Sequence, residues 1–153
     1  MISRLLFLFL AFTSIQLSAK IDTLYVYSVE MNKDLPNLVV LPEGADNISD
    51  DLPVVYLLHG AGGDFGNWYR RCPEIQDLSN DYNCIVVCPD GGKTSWYIDS
   101  PIDPQMKYES YIINHLIPTV DSIYPTLKSP SSRAITGLSM GGHGALFLAI
   151  RHP

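Results

Sequence analysis

Val54–Leu58 (VVYLL) and Ile85–Val87, the latter set between Cys84 and Cys88, are apolar at every position. A strand with one wet face alternates apolar and polar residues. An unbroken apolar run of strand length is instead buried on both faces, as in a parallel sheet with helices on either side. Each run stops at glycines, Gly60-Ala61-Gly62-Gly63 after the first and Pro89-Asp90-Gly91-Gly92 after the second. Thr23–Glu30, Leu38–Leu41 and Arg133–Thr136 also read as strands. Pro73–Asn80 reads as a short helix, Gln105–Tyr124 as a longer one and Ala145–Ile150 as an apolar one. Pro118 predicts a kink in the longer helix. Strands alternating with helices in this order predict an α/β fold with a mostly parallel sheet.

The chain has 153 residues with no repeat or linker, which bounds it to one domain at most. Hydrophobic residues make up 46% and charged residues 17%, a globular composition that excludes a disordered acidic tail. The net charge of −6, with no block of like charge, excludes a basic nucleic-acid binder. Arg4, the apolar run Leu5–Phe12 and Leu17-Ser18-Ala19 read as a secretory leader cut after Ala19, too short to span a bilayer. The expected domain is therefore residues 20–153, in an exported protein that is secreted or periplasmic, with no membrane contact once the leader is cut. Asn47-Ile48-Ser49 matches a glycosylation acceptor, relevant only in a eukaryotic secretory route. Cys84 and Cys88 are too far apart along one strand to bridge each other. Cys72 could pair with either, or all three could be small buried residues.

Gly137-Leu138-Ser139-Met140-Gly141 follows a predicted strand and opens a predicted helix, the setting in which G-x-S-x-G carries a nucleophile. A sharp strand-to-helix turn lifts a serine hydroxyl above the sheet, and glycines on both sides let the two arms close. The helix N-terminus supplies free N–H groups, so the Met140 amide can face the oxyanion of a tetrahedral intermediate. A second donor is expected from the loop after an earlier strand. His59-Gly60-Ala61-Gly62-Gly63 stands there, pointing to the Ala61 amide, with Gly62 as the near alternative.

The stretches YLLHGAGG, PDGGKTSWYIDSP, YESYIINHLIPTVDSIYP and RAITGLSMGGHGALFLAIRHP resemble the esterase D family of α/β-hydrolases, from about Leu24 to Pro153. That family includes S-formylglutathione hydrolases, feruloyl and acetylxylan esterases and mycolyltransferases. The resemblance implies the α/β-hydrolase fold, with Ser139 as nucleophile and the Met140 and Ala61 amides as the oxyanion hole. It implies a small-molecule or carbohydrate ester as substrate, and no metal or other cofactor. It also places Trp96 and Tyr97 near an acyl or sugar pocket; packing of their loop onto the body is the competing reading.

A serine nucleophile needs a histidine base, and the base needs an orienting carboxylate, met in this fold in the order Ser, Asp or Glu, His. After Ser139 the sequence has His143 and His152 but no Asp or Glu. By the resemblance His143 is structural. His152 lies about 20 Å along the helix at 1.5 Å per residue. His59 and His115 are expected to be structural as well. The chain is therefore expected to be the N-terminal part of an esterase domain and nearly inactive alone. An acyltransferase using the same residues, or a non-catalytic carbohydrate-binding remnant, are the alternatives. Arg133–Thr136 would then form a sheet edge, apolar apart from Arg133.

Overall fold

The computed structural model describes residues 20–45 and 51–153; the expected leader and the Asn47 acceptor lie outside them. The strands are β1 (Lys20–Ser28), β2 (Lys33–Leu41), β3 (Val54–Leu58), β4 (Ile85–Pro89) and β5 (Arg133–Gly137). They form one five-stranded sheet in the order β1-β2-β4-β3-β5. β4, β3 and β5 run parallel, and the β1–β2 hairpin adds antiparallel through β2. The two apolar runs are neighbours in the middle of the sheet, and β4 is buried at every position.

β2 starts five residues before the expected Leu38. Pro36 and Asn37 look like strand breakers, yet both sit within the ladder. The Pro36 carbonyl accepts from the Asp90 N–H at 3.2 Å. Asn37 is wholly buried, and its amide donates to the carbonyls of Leu24 (3.0 Å) and Leu35 (2.9 Å) and to the Tyr111 hydroxyl (2.7 Å).

Helices α1 (Asn67–Arg71) and α2 (Ile75–Asp81) lie on one side of the sheet, where Ile75 joins Leu38, Val40, Val86 and Cys88 in an apolar cluster. The opposite face carries the longer helix and α5 (Met140–Arg151), packed around Tyr56, Leu58, Val87 and Ile112. The longer helix is not the single span expected from Gln105. It comprises α3 (Tyr108–Ser110), a π-helical turn (Tyr111–Leu116) and α4 (Ile117–Ile123). Its start is set by Asp99, which accepts from the Ser110 N–H at 3.0 Å and the Ser110 hydroxyl at 2.6 Å. Before Pro118 the helix widens: the Ile117 N–H bonds the Ile112 carbonyl five residues back. A wider turn accommodates the missing proline N–H, so the helix continues past it.

The three cysteines are unpaired; Cys84 and Cys88 are buried and Cys72 is partly exposed. Burial pushes the Cys88 thiol up to about 12. Among the described residues β5 pairs with β3 alone and forms one edge of the sheet.

Candidate active site

β5 runs into α5 through Leu138 and Ser139. Ser139 has φ 53° and ψ −113°, a left-handed backbone that costs a side-chain-bearing residue about 1–3 kcal/mol. The surrounding contacts enforce it. The Leu138 N–H donates to the Leu58 carbonyl at 3.3 Å, and the Gly141 N–H donates back to the Leu138 carbonyl at 2.8 Å. A Cβ at Gly137 would stand 2.6 Å from the Leu58 carbonyl oxygen, and one at Gly141 only 2.3 Å from it. Ser139 is exposed above this crossing. The Met140 N–H, first in α5, makes no backbone hydrogen bond among the described residues.

The glycine loop after β3 lies against this turn. A Cβ built at Gly60 would be 3.3 Å from the Leu138 carbonyl oxygen and 3.8 Å from the Ser139 Cβ. The loop's amides are not equivalent. The Gly62 N–H donates to the Lys93 carbonyl at 2.8 Å and the Gly63 N–H to the Gly60 carbonyl at 3.0 Å. The Ala61 N–H has no partner among the described residues, and Ala61 is exposed.

His59 holds the loop from below. It is 1% exposed, so both ring nitrogens must find partners inside. Nε2 accepts from the Gly91 N–H at 2.9 Å, and Nδ1 donates to the Gly60 carbonyl at 2.8 Å, which defines a neutral ring. The Tyr97 hydroxyl donates to the His59 carbonyl at 3.2 Å.

Trp96 and Tyr97 both have positive φ, 55° and 58°. Tyr97 points inward and is wholly buried; a Cβ at Gly144 of α5 would meet its ring at 2.5 Å. It offers no surface to a substrate and acts as packing beneath α5. Trp96 is 49% exposed and sets its ring edge-on to His143, with centroids 5.3 Å apart. His143 Nδ1 donates to the Trp96 carbonyl at 2.9 Å, and its ring stacks on Phe147. Ser139, His143 and Phe147 are spaced four apart along α5, so Trp96 stands one helical turn from the serine.

Among the described residues there are two histidine–carboxylate pairs, and neither hydrogen-bonds Ser139. His115 meets Glu30 at 2.6 Å, joining the π-helical turn to the turn of the β1–β2 hairpin. His152 meets Glu109 at 2.9 Å, and Arg151 meets the same oxygen at 2.6 Å. His152 follows the last residue of the twelve-residue α5, about 18 Å from its start at 1.5 Å per residue. Glu109 escaped notice in the sequence because 43 residues separate it from His152. Among the described residues no three His, Cys, Asp or Glu side chains gather as a metal-ligand set. No described helix is long and apolar enough to cross a membrane.

A mixed sheet with parallel β4, β3 and β5, flanked by helices and carrying a positive-φ serine at a strand-to-helix turn, is the α/β-hydrolase fold. Residues 28–153 match the family described as "Putative esterase". The chain belongs to this esterase family. An esterase of Mycobacterium tuberculosis is 34% identical over 117 residues, covering 74% of this chain and 25% of that protein. An acetyl esterase of Caldicellulosiruptor saccharolyticus is 32% identical over 127 residues, covering 78% of this chain and 47% of that one. Among solved structures a ferulic acid esterase superposes with TM-score 0.80 at 28% identity, covering 91% of this chain and 55% of that one. The chain thus spans between a quarter and just over half the length of these relatives.

Proposed function

We propose that this chain carries the nucleophile and oxyanion hole of an exported serine carboxylic-ester hydrolase. The observation that carries the reading is the Ser139 turn: a strained, exposed serine at the mouth of α5, beside a glycine loop whose Ala61 amide is free. Ser139 Oγ attacks the ester carbonyl, and the amides of Met140 and Ala61 receive the developing oxyanion. The alcohol leaves with a proton, and water then releases the acid from the acyl-enzyme. The substrate class is acyl esters of carbohydrates or small esters; the acetyl esterase and ferulic acid esterase relatives support an acyl ester. Trp96, half-exposed one turn from Ser139, is the candidate contact for the acyl or sugar group. The leader expected over residues 1–19 would export the protein to the periplasm or beyond.

The base must come from outside the described residues. Both nitrogens of His59 are engaged, His115 is paired with Glu30, His143 Nδ1 donates to the Trp96 carbonyl and not to an orienting carboxylate, His152 is at the far end of α5, and among the described residues no histidine ring hydrogen-bonds Ser139. In a serine hydrolase, loss of the base costs on the order of 10⁶ in turnover and leaves about 10³ over water. Hydrolysis of p-nitrophenyl acetate by the 153-residue chain should therefore stay within about 10³ of the uncatalysed rate. In a product that contains the remainder of an esterase domain, hydrolysis should reach ordinary enzyme rates and fall by on the order of 10⁶ on Ser139→Ala. Unchanged turnover in that variant would overturn the assignment of Ser139.

A further inference from the structure

The Ala61 N–H belongs to a tight turn over residues 60–63, closed by the Gly63 N–H on the Gly60 carbonyl at 3.0 Å. Gly62, at φ 76°, takes the third position, where a type II turn needs a positive φ. The Gly60 carbonyl also accepts from His59 Nδ1 at 2.8 Å. Across a trans peptide the N–H points opposite the carbonyl, so whatever holds the Gly60 carbonyl also aims the Ala61 N–H. One freedom is left. Turn types I and II differ in the direction of their central peptide, which can turn over while the closing bond stays in place.

Lys93 holds that peptide from outside the turn. Its carbonyl accepts from the Gly62 N–H, the central N–H of the turn, at 2.8 Å. Its side chain comes back to the same turn, where Nζ donates to the Gly63 carbonyl at 3.1 Å and to the Gly62 carbonyl at 3.4 Å. The ammonium has no carboxylate at ion-pair distance among the described residues. Asp64, close enough to feel its charge, is taken by Arg70 at 2.8 and 2.9 Å. Lys93 is placed in its own turn by the bend after β4. Gly92 before it has φ 65° and donates its N–H to the Asp90 carboxylate at 2.7 Å. A Cβ at Gly92 would stand 2.6 Å from the Tyr108 hydroxyl.

We propose that Lys93 is a positioning residue for the oxyanion hole. Its carbonyl and its ammonium strap the glycine turn and keep the Ala61 N–H aimed at the ester oxygen during attack by Ser139. An oxyanion donor is effective when it is held in place before charge develops. Lys93 is exposed, so its side chain fixes this turn and supports no part of the core. The proposal rests on the esterase reading of Ser139 and Ala61.

Lys93→Met keeps the stem and removes the ammonium; Lys93→Arg keeps a charged donor. Turnover of p-nitrophenyl acetate is measured in the base-containing product in which Ser139→Ala is tested, and amide exchange in the 153-residue chain. Lys93→Met should lower kcat about fivefold, the worth of one ordinary hydrogen bond, and leave KM in place. Exchange at Gly62 and Gly63 should quicken about fivefold while the urea midpoint stays put. Lys93→Arg should restore most of both. Unchanged kcat, or a raised KM at constant kcat, would overturn the proposal, the second by making Lys93 a substrate contact. A lower kcat with unchanged exchange would assign the effect to charge alone and overturn the strap. A lowered urea midpoint that Lys93→Arg fails to restore would reduce Lys93 to a structural role. Hydrolysis indifferent to Ser139→Ala would overturn the esterase reading and the proposal with it, whereas Ser139-dependent hydrolysis indifferent to Lys93→Met would overturn the proposal alone.

Discussion

A methyl group at Gly141 would meet the carbonyl oxygens of Leu58 and His59 at 2.3 and 2.8 Å. Both are backbone atoms, so no side chain can turn aside. Gly62 has open space around it and only its φ of 76° resists substitution. Gly141→Ala should therefore cost about 3 kcal/mol or more by overpacking, and Gly62→Ala about 1–2 kcal/mol by backbone strain. Urea unfolding checks the order; equal losses would mean that the crossing of β3 and α5 relaxes freely. The cysteines obey a second local rule. Burial raises the Cys84 thiol and takes that of Cys88 to about 12, while Cys72 is partly exposed. Thiolate is the reactive form, so iodoacetamide at pH 8 should alkylate Cys72 first and Cys88 only after unfolding. Peptide mapping that found Cys88 labelled early would show that the sheet face under α2 opens.

Elements were legible where the physics is local. VVYLL and the run between Cys84 and Cys88 announce buried central strands because nothing polar interrupts them, and the G-x-S-x-G turn announces itself by steric need. Elements were misread where a distant group decides. The long helix begins at Tyr108 and not at Gln105, because Asp99 reaches forward to cap the Ser110 N–H and hydroxyl. No rule that looks for a capping residue beside the helix finds one eleven residues away. Pro118 reads as a kink from the sequence, and the structure adds what the sequence did not show, a widened turn ahead of it. Trp96 and Tyr97 looked alike as site aromatics; only their burial in the folded chain, 0% exposed for Tyr97 and 49% for Trp96, tells which faces out. The capping role is testable. Asp99→Ala should cost about 1 kcal/mol, within the range for a lost cap, and should speed amide exchange at residues 110–113. Asp99→Asn keeps an acceptor and should restore most of the loss. If both variants behaved alike, the charge of Asp99 and not its hydrogen bonds would be the stabilising feature.

Two carboxylates tie distant parts of the molecule together and should shape its response to acid. Glu109 joins the start of the long helix to the end of α5, and Glu30 joins the turn of the β1–β2 hairpin to the π-helical turn. Burial alone would raise the Glu109 carboxyl, but hydrogen bonds from Arg151 and His152 hold it below the usual glutamate range. Burial likewise opposes ionisation of Glu30, and its own backbone N–H and His115 reverse that. A carboxyl that is more acidic in the folded than in the unfolded chain stabilises fully above its unfolded value, near 4.3, and loses that contribution as pH falls through the folded value. The chain's net charge of −6 acts in the opposite sense, since early protonation relieves repulsion, so the raw acid profile mixes both effects. A difference between variants removes most of the shared term. Arg151 is 55% exposed, which screens its share, so Glu109→Gln should cost about 1 kcal/mol at pH 7. Wild type and variant should draw together as pH falls below about 4.3, because the wild-type carboxylate protonates on passing through its folded value. Urea midpoints at pH 7, 5 and 3 would show the gap steady over the first interval and closing over the second. A gap that did not narrow at all between pH 5 and pH 3 would mean that Glu109 stabilises the α3–α5 junction through packing and not through its charge.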